Sequence, residues 1–275
     1  MKLVWDEVGK HYYTNGVDHG VLYDFDESNN SYHPGTAWSG LTAVNESPSG
    51  AEPNAQYADN IKYLNMMSAE EYGFTIEAFY SPEAFDKCDG IASENGVRYR
   101  QQKRKTFGFC YRTKVGSDTN DDLGYIYHLV YGCKASPSEQ NHETINESPE
   151  GATLSWTVNC TPIADTTPNS DFKPLSVVEI PTLGTDAEKL ASMLDILYGK
   201  DGTISYTAAS PVGTENPMTE GWYERSGSSP DYVYTPSMDT TVDSEKTYYI
   251  KSETGGMEAR LPLPAEIRAH FAAQG

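Results

Sequence analysis

The stretch spaced most like a cation loop is GSDTNDDLG, residues 116–124. Asp118, Asn120 and Asp122 stand at alternate positions, as the first oxygen ligands of a calcium loop do. Two requirements then fail. The glycine that makes the sharp turn comes late, at Gly124, and Leu129 stands where the bidentate glutamate belongs. The stretch reads better as an acidic hairpin turn. His128 falls inside a run of strand character, where a hydrogen-bonded core histidine fits better than a ligand or a base. His11, His19, His33, His142 and His270 form no i, i+4 pair and no HExxH, and no GxSxG, P-loop or GxGxxG occurs. Carboxylate pairs say little in so acidic a chain. The expectation is a chain that is not an enzyme, with no catalytic residues, no metal ligands and no cofactor.

One segment runs against the charge of the rest. RYRQQKRK, 98–105, carries Arg98, Arg100, Lys103, Arg104 and Lys105. Alone it could hold phosphate. Within a chain of net charge −20, a contact with an acidic surface of a neighbouring copy is the better reading. A solvated loop without a partner is the plainer alternative. The acid excess is uniform: 26 acids and 13 bases fall in 1–180, 14 and 7 in 181–275. Such a chain repels phosphate backbones, which argues against a nucleic-acid binder, and solubility alone would also explain the charge.

The elements that must position these residues are mostly strands. Twenty tyrosines, with many Thr and Val, favour β structure, and 16 Pro and 23 Gly supply turns. Strand patterns fall at 37–44, 73–79, 106–115, 123–134, 152–160 and 175–180. In 123–134, Tyr125, Tyr127, Leu129 and Tyr131 share one face and Ile126, His128 and Val130 the other, so this strand should be central and covered twice. SPEAFDKCDG, 81–90, reads as a short helix with Ser81 as its cap. DAEKLASMLDILYG, 186–199, reads as a helix from Asp186 to Gly199, and a last short helix opens at Pro264. Residues 203–256, rich in Ser, Thr, Pro and Tyr, read as a small β unit.

NESP occurs twice, in AVNESPSGA and INESPEGA. The flanks differ, so the echo marks turn chemistry at strand junctions and not a repeat. The first copy leads into a stretch read as a long ordered loop. Tyr57, Ile61, Tyr63, Leu64, Met66 and Met67 argue against disorder there and suggest packing on another subunit. Asp6 and Glu7 stand where a signal peptide needs an apolar run, and no 18-residue apolar stretch occurs. The sequons at Asn45, Asn146 and Asn159 then mean little. Cys88, Cys110, Cys133 and Cys160 form no CxxC and read as buried, reduced thiols of a cytosolic product.

WDEVGKHYYTNGVDHGVLY (5–23) and AWSGLTAVNESPSGAEPNAQYADNIKYLN (37–65) carry a family resemblance. SPEAFDKCDG, RKTFGFCYRT, YHLVYG, TINESPEGATLSW, DILYG and ARLPLPAEI continue it in order. The chain resembles the major tail (tail tube) proteins of long, non-contractile-tailed phages of Gram-positive bacteria, over roughly 1–202 and 257–275. The resemblance implies a mainly β, tail-tube-like β-sandwich or barrel core with a flanking α-helix. It implies six copies per ring and stacked rings forming the conduit for genome ejection. The implied partners are the chain itself, the tape measure, tail terminator and tail tip proteins, and DNA that passes the lumen without specific binding, with no membrane. The implied location is the virion tail, assembled in the host cytoplasm. The likeness breaks at 203–256, an inserted small β module expected on the tube's outside with Trp222, Tyr223, Tyr234, Tyr248 and Tyr249 as surface candidates. Alternatives are a surface- or carbohydrate-binding β-module protein, or another tail or tail-tip structural protein.

Overall fold

A computed structural model describes residues 5–137, 140, 144, 151–166, 172–209, 216–219 and 221–272. The second NESP copy, with Asn146, and His142 lie outside them. In chain order the strands are β1 (Tyr12–Asp26), β2 (Ser31–Trp38), β3 (Leu41–Glu46), β4 (Ser49–Gly50), β5 (Pro53–Ala58), β6 (Ile61–Met67), β7 (Glu70–Glu71), β8 (Gly73–Ala78), β9 (Ala92–Glu94) and β10 (Val97–Tyr99). They continue with β11 (Phe107–Ser117), β12 (Gly124–Ala135), β13 (Leu154–Cys160), β14 (Val177–Pro181), and, beyond helix α1 (Ala187–Tyr198), β15 (Thr203–Ala209), β16 (Trp222–Ser226), β17 (Val233–Pro236) and β18 (Tyr248–Thr254). Helix α2 spans Pro264–Ala272. The fold is mainly β, consistent with a sandwich. Two compact units divide the chain, residues 1–199 with 258–275, and Lys200–Met257.

The first unit is built on one antiparallel sheet in the order β2-β1-β11-β12-β13-β8-β3, with β14 also paired to β12. Both faces of this sheet are covered, as the bulk on both sides of β12 requires. On one face Leu22, Phe74, Ile76, Phe107, Phe109, Val130, Trp156 and Val158 close on one another from β1, β8, β11, β12 and β13, with Trp38 and Phe85 between them. Strands far apart in the order thus share one core, which is how a curled sheet makes a sandwich or barrel interior. On the other face Tyr23, Cys110, Tyr127, Leu129 and Tyr131 pack under the helices through Met193, Leu197 and Ile267. Helix α1 starts where Asp186 accepts hydrogen bonds from the Glu188 and Lys189 amides, both at 3.0 Å, and stops at Gly199. Strand β12 splits its pairing: Ile126–Val130 faces β14, and Cys133–Ala135 faces β13. Gly132 is the branch point.

Several expectations need correction. The run at 37–44 is two strands broken at Gly40, whose φ is +83°. The segment at 81–90 is a short 3-10 turn over Glu83–Lys87, with Pro82 rather than Ser81 at its cap position and no side-chain cap. Strand β1, the longest, carries no regular strand pattern, because its pairing with β11 shifts register twice.

All four thiols are free, and Cys88, Cys110 and Cys133 are buried. Burial pushes Cys88 and Cys110 up to about 12 and raises Cys133 well above its usual value. A neutral-pH thiol reagent should therefore label at most Cys160 in the native protein. Labelling of two or more thiols without denaturant would contradict this packing.

Candidate functional site

The stretch read as a loop is an arm. Strands β3 and β8 continue outward through β4 paired to β7 and β5 paired to β6. Ser47 and Ala51 amides donate to the Gly73 and Ala69 carbonyls at 2.8 and 3.3 Å, which joins the pairs into one ribbon. At the tip Asp59 and Asn60 hold φ of +51° and +63°. Two left-handed residues make the tight turn that two-residue hairpins need, and Asp and Asn tolerate that region best after glycine. At about 3.3 Å per residue the ribbon beyond Ser47 reaches about 40 Å.

Nothing in 45–71 is buried. The register puts Ile61, Leu64 and Met66 on one face and Tyr57 and Met67 on the other, with Tyr63 at the bulge where the pairing shifts. Tyr57 is 73 % exposed and Tyr63 67 %. A two-stranded ribbon is marginal in water by itself, and one with apolar side chains on both faces asks for a partner on both.

The basic segment is partly neutralised within the chain. Arg98 pairs with Asp86, which is itself buried. Arg104 reaches Asp89 at 3.0 Å and the Ala135 carbonyl at 3.2 Å. Arg100 donates to Gln140 at 3.0 Å. Lys103, Arg104 and Lys105 line an open cleft of about 680 Å³ together with Asp24, Asp26 and Glu27. Arg98 and Arg104 therefore serve the fold, while Arg100, Lys103 and Lys105 remain exposed. Reversing those three to Glu should shift the melting temperature by no more than about 5 °C, because exposed substitutions rarely exceed about 0.5 kcal/mol each. If they face a neighbouring copy's acids, the concentration needed for self-association at low salt should rise about tenfold or more. Unchanged association, measured by sedimentation, would assign them to solvent.

The acidic turn is tied to the N-terminal segment. Asp118 accepts the Gly9 amide at 3.0 Å and sits 3.1 Å from His11, and these contacts hold its carboxyl below the usual range, the Gly9 bond most. Asp121 accepts the Tyr13 hydroxyl at 2.7 Å. Its carboxylates are used as hairpin ties.

His128 has a more specific setting than an ordinary core histidine. Its ring stacks on Tyr111, centroids 4.5 Å apart and planes 4° from parallel. Nε2 meets the Thr113 hydroxyl at 3.0 Å. Nδ1 faces Glu179 at 3.3 Å and Glu46 at 3.7 Å. The Tyr111 hydroxyl donates to Glu46 at 2.5 Å. Burial pulls the imidazole below its ordinary value, against both carboxylates. Sequence spacing could not assemble this group, since its members come from three separate strands and β11.

The second unit is a four-stranded sheet, β15-β18-β16-β17. Trp222, Tyr248 and Tyr249, expected on its surface, are buried. A unit this small must fill its core from its own large side chains, and it uses these three. Glu224, Asp239 and Lys246 form a polar cluster, with Lys246 3.2 Å from Glu224 and 2.9 Å from Asp239, and the Tyr248 hydroxyl donates to Asp239 at 2.6 Å. Tyr223 and Tyr234 are half-buried beside Tyr206, which stacks on Tyr234 with centroids 4.0 Å apart. Among the described residues no helix is long and apolar enough to cross a membrane. In comparisons with known proteins, no family model and no curated protein matches the chain.

Proposed function

We propose that the chain is the repeating subunit of a phage tail tube, a structural protein that stacks in rings around a channel for the genome. The observation that carries the reading is the β3–β8 ribbon, an arm with exposed apolar side chains on both faces. In a stack, the arm of one ring lies on subunits of the next and buries those side chains. The count of six and the identity of the tail partners rest on the resemblance described above. Charge is compatible with the role. Six copies at −20 each give −120 per ring, and DNA sliding past carboxylates would be repelled within a Debye length of about 8 Å.

Negative-stain electron microscopy across a concentration series, with and without tail-tip complexes as nuclei, tests the reading. Hollow tubes or stacked six-fold rings support it. Monomers under every condition, nuclei included, would overturn it.

A second reading has one observation in its favour. Tyr206, Tyr223 and Tyr234 share a face of the second unit, and aromatic faces of this kind stack on sugar rings. Glycan binding that disappears in Tyr206→Ala with Tyr234→Ala would move the function toward surface recognition.

A further inference from the structure

We propose that Glu46, His128 and Glu179 form a binding site for a divalent transition-metal cation, with Zn2+ the best fit, that ties β3, β12 and β14 together. Their donor atoms all lie within 4.8 Å of one another, and no other group of three His, Cys, Asp or Glu among the described residues does the same.

The histidine supplies the evidence that this is more than an acidic cluster. His128 is only 7 % exposed, and its Nδ1 is buried without a hydrogen-bond partner. Nε2 is engaged by Thr113 at 3.0 Å, so with the ring proton on Nε2 the Nδ1 lone pair points into the group. In that tautomer the Nδ1 lone pair converges with two carboxylates, and of these Glu46 already accepts the Tyr111 hydroxyl. A cation resolves that arrangement.

The spacing fits. Zinc binds imidazole nitrogen and carboxylate oxygen at about 2.0–2.2 Å, which sets ligand atoms about 3.4 Å apart around a tetrahedral ion. Nδ1 stands 3.3 Å from Glu179 and 3.7 Å from Glu46. The supporting contacts match a built site. Thr113 and the stacked Tyr111 fix the ring, and the Tyr111 hydroxyl holds Glu46. Two carboxylates and a neutral imidazole offset a 2+ charge, and the exposed sides of Glu46 and Glu179 leave a way in and a fourth position for water. One nitrogen and two oxygens suit zinc or cobalt better than calcium, which needs six to eight oxygens. Because Glu46 ends β3, a bound ion would also pin the root of the arm.

The test is titration of the EDTA-treated full chain with Zn2+ by calorimetry, with Co2+ as the spectroscopic probe. The expected result is one equivalent per chain, a tetrahedral cobalt absorption without a thiolate charge-transfer band, and a melting temperature that rises with Zn2+. Glu179→Gln, at an exposed position, and His128→Gln should each weaken binding tenfold or more, and Glu70→Gln should not. Circular dichroism confirms that each variant is folded. No saturable equivalent, equal binding in Glu179→Gln, or a cobalt–thiolate band would overturn the proposal.

Discussion

Replacing Tyr57, Tyr63 and Leu64 together with Ser should abolish ring stacking while leaving the monomer folded. The three side chains are exposed in the isolated chain, at 73, 67 and 41 %. Their loss therefore costs the monomer little, and its melting temperature should fall by no more than about 5 °C. In an assembly the same side chains would each contribute about 1.5–3 kcal/mol on full burial. Losing three removes at least about 4 kcal/mol per contact, or about a thousandfold in affinity. Sedimentation reads both states. Tubes formed at wild-type concentration by the triple variant would show that the arm carries no contact.

The second large effect lies at the fork of the sheet. Gly132→Ala should destabilise the protein by about 3 kcal/mol or more. Gly132 holds φ of +60°, and a Cβ there would lie 2.1 Å from the Thr161 carbonyl oxygen. Backbone must move to admit it. That backbone is fixed on both sides, since the Gly132 amide donates to the Tyr32 hydroxyl at 3.1 Å and its carbonyl accepts the Thr161 amide at 3.0 Å. Gly96→Ala is the control. Its φ is +79°, with nothing within 4 Å of the added carbon, so only the conformational cost of about 1–2 kcal/mol applies. Chemical denaturation of both variants separates the two costs. Equal losses would mean that the contact with Thr161 relaxes freely.

These two sites mark what the sequence made legible and what it did not. Strands β8, β11, β12 and β13 and helix α1 are readable because each carries regularly spaced apolar residues, and α2 because Pro264 opens its first turn. Phe74, Ile76 and Ala78 on β8 alternate with Thr75 and Glu77 and are fully buried. Strand β1 breaks that regularity. Its pairing with β11 shifts register between Asn15 and Asp18 and again between Asp18 and Val21, and Gly16 and His19 have positive φ. TNGVDHG therefore reads as turns when it is a strand with bulges. The arm is illegible for a different reason. Apolar residues on both faces leave no alternation to detect, and the signal that could have found it was the Asp59–Asn60 turn between two strand-like runs. The buried tyrosines of the second unit are not legible as core, because a Tyr-rich polar stretch does not say which of its rings a small sheet will use. Within the basic segment, charge was legible but partners were not, since Asp86 and Asp89 come from the 3-10 turn and its flank.

Hydrogen exchange of the arm amides, compared between monomer and assembled protein, tests the proposed role most directly. In the monomer the amides of 53–67 sit in an exposed two-stranded ribbon and should exchange far faster than those of β11 and β12. If rings stack through the arm, the same amides should become protected by a hundredfold or more on assembly, together with a matching patch on the receiving subunit. Tubes whose arm amides exchange as fast as in the monomer would contradict it.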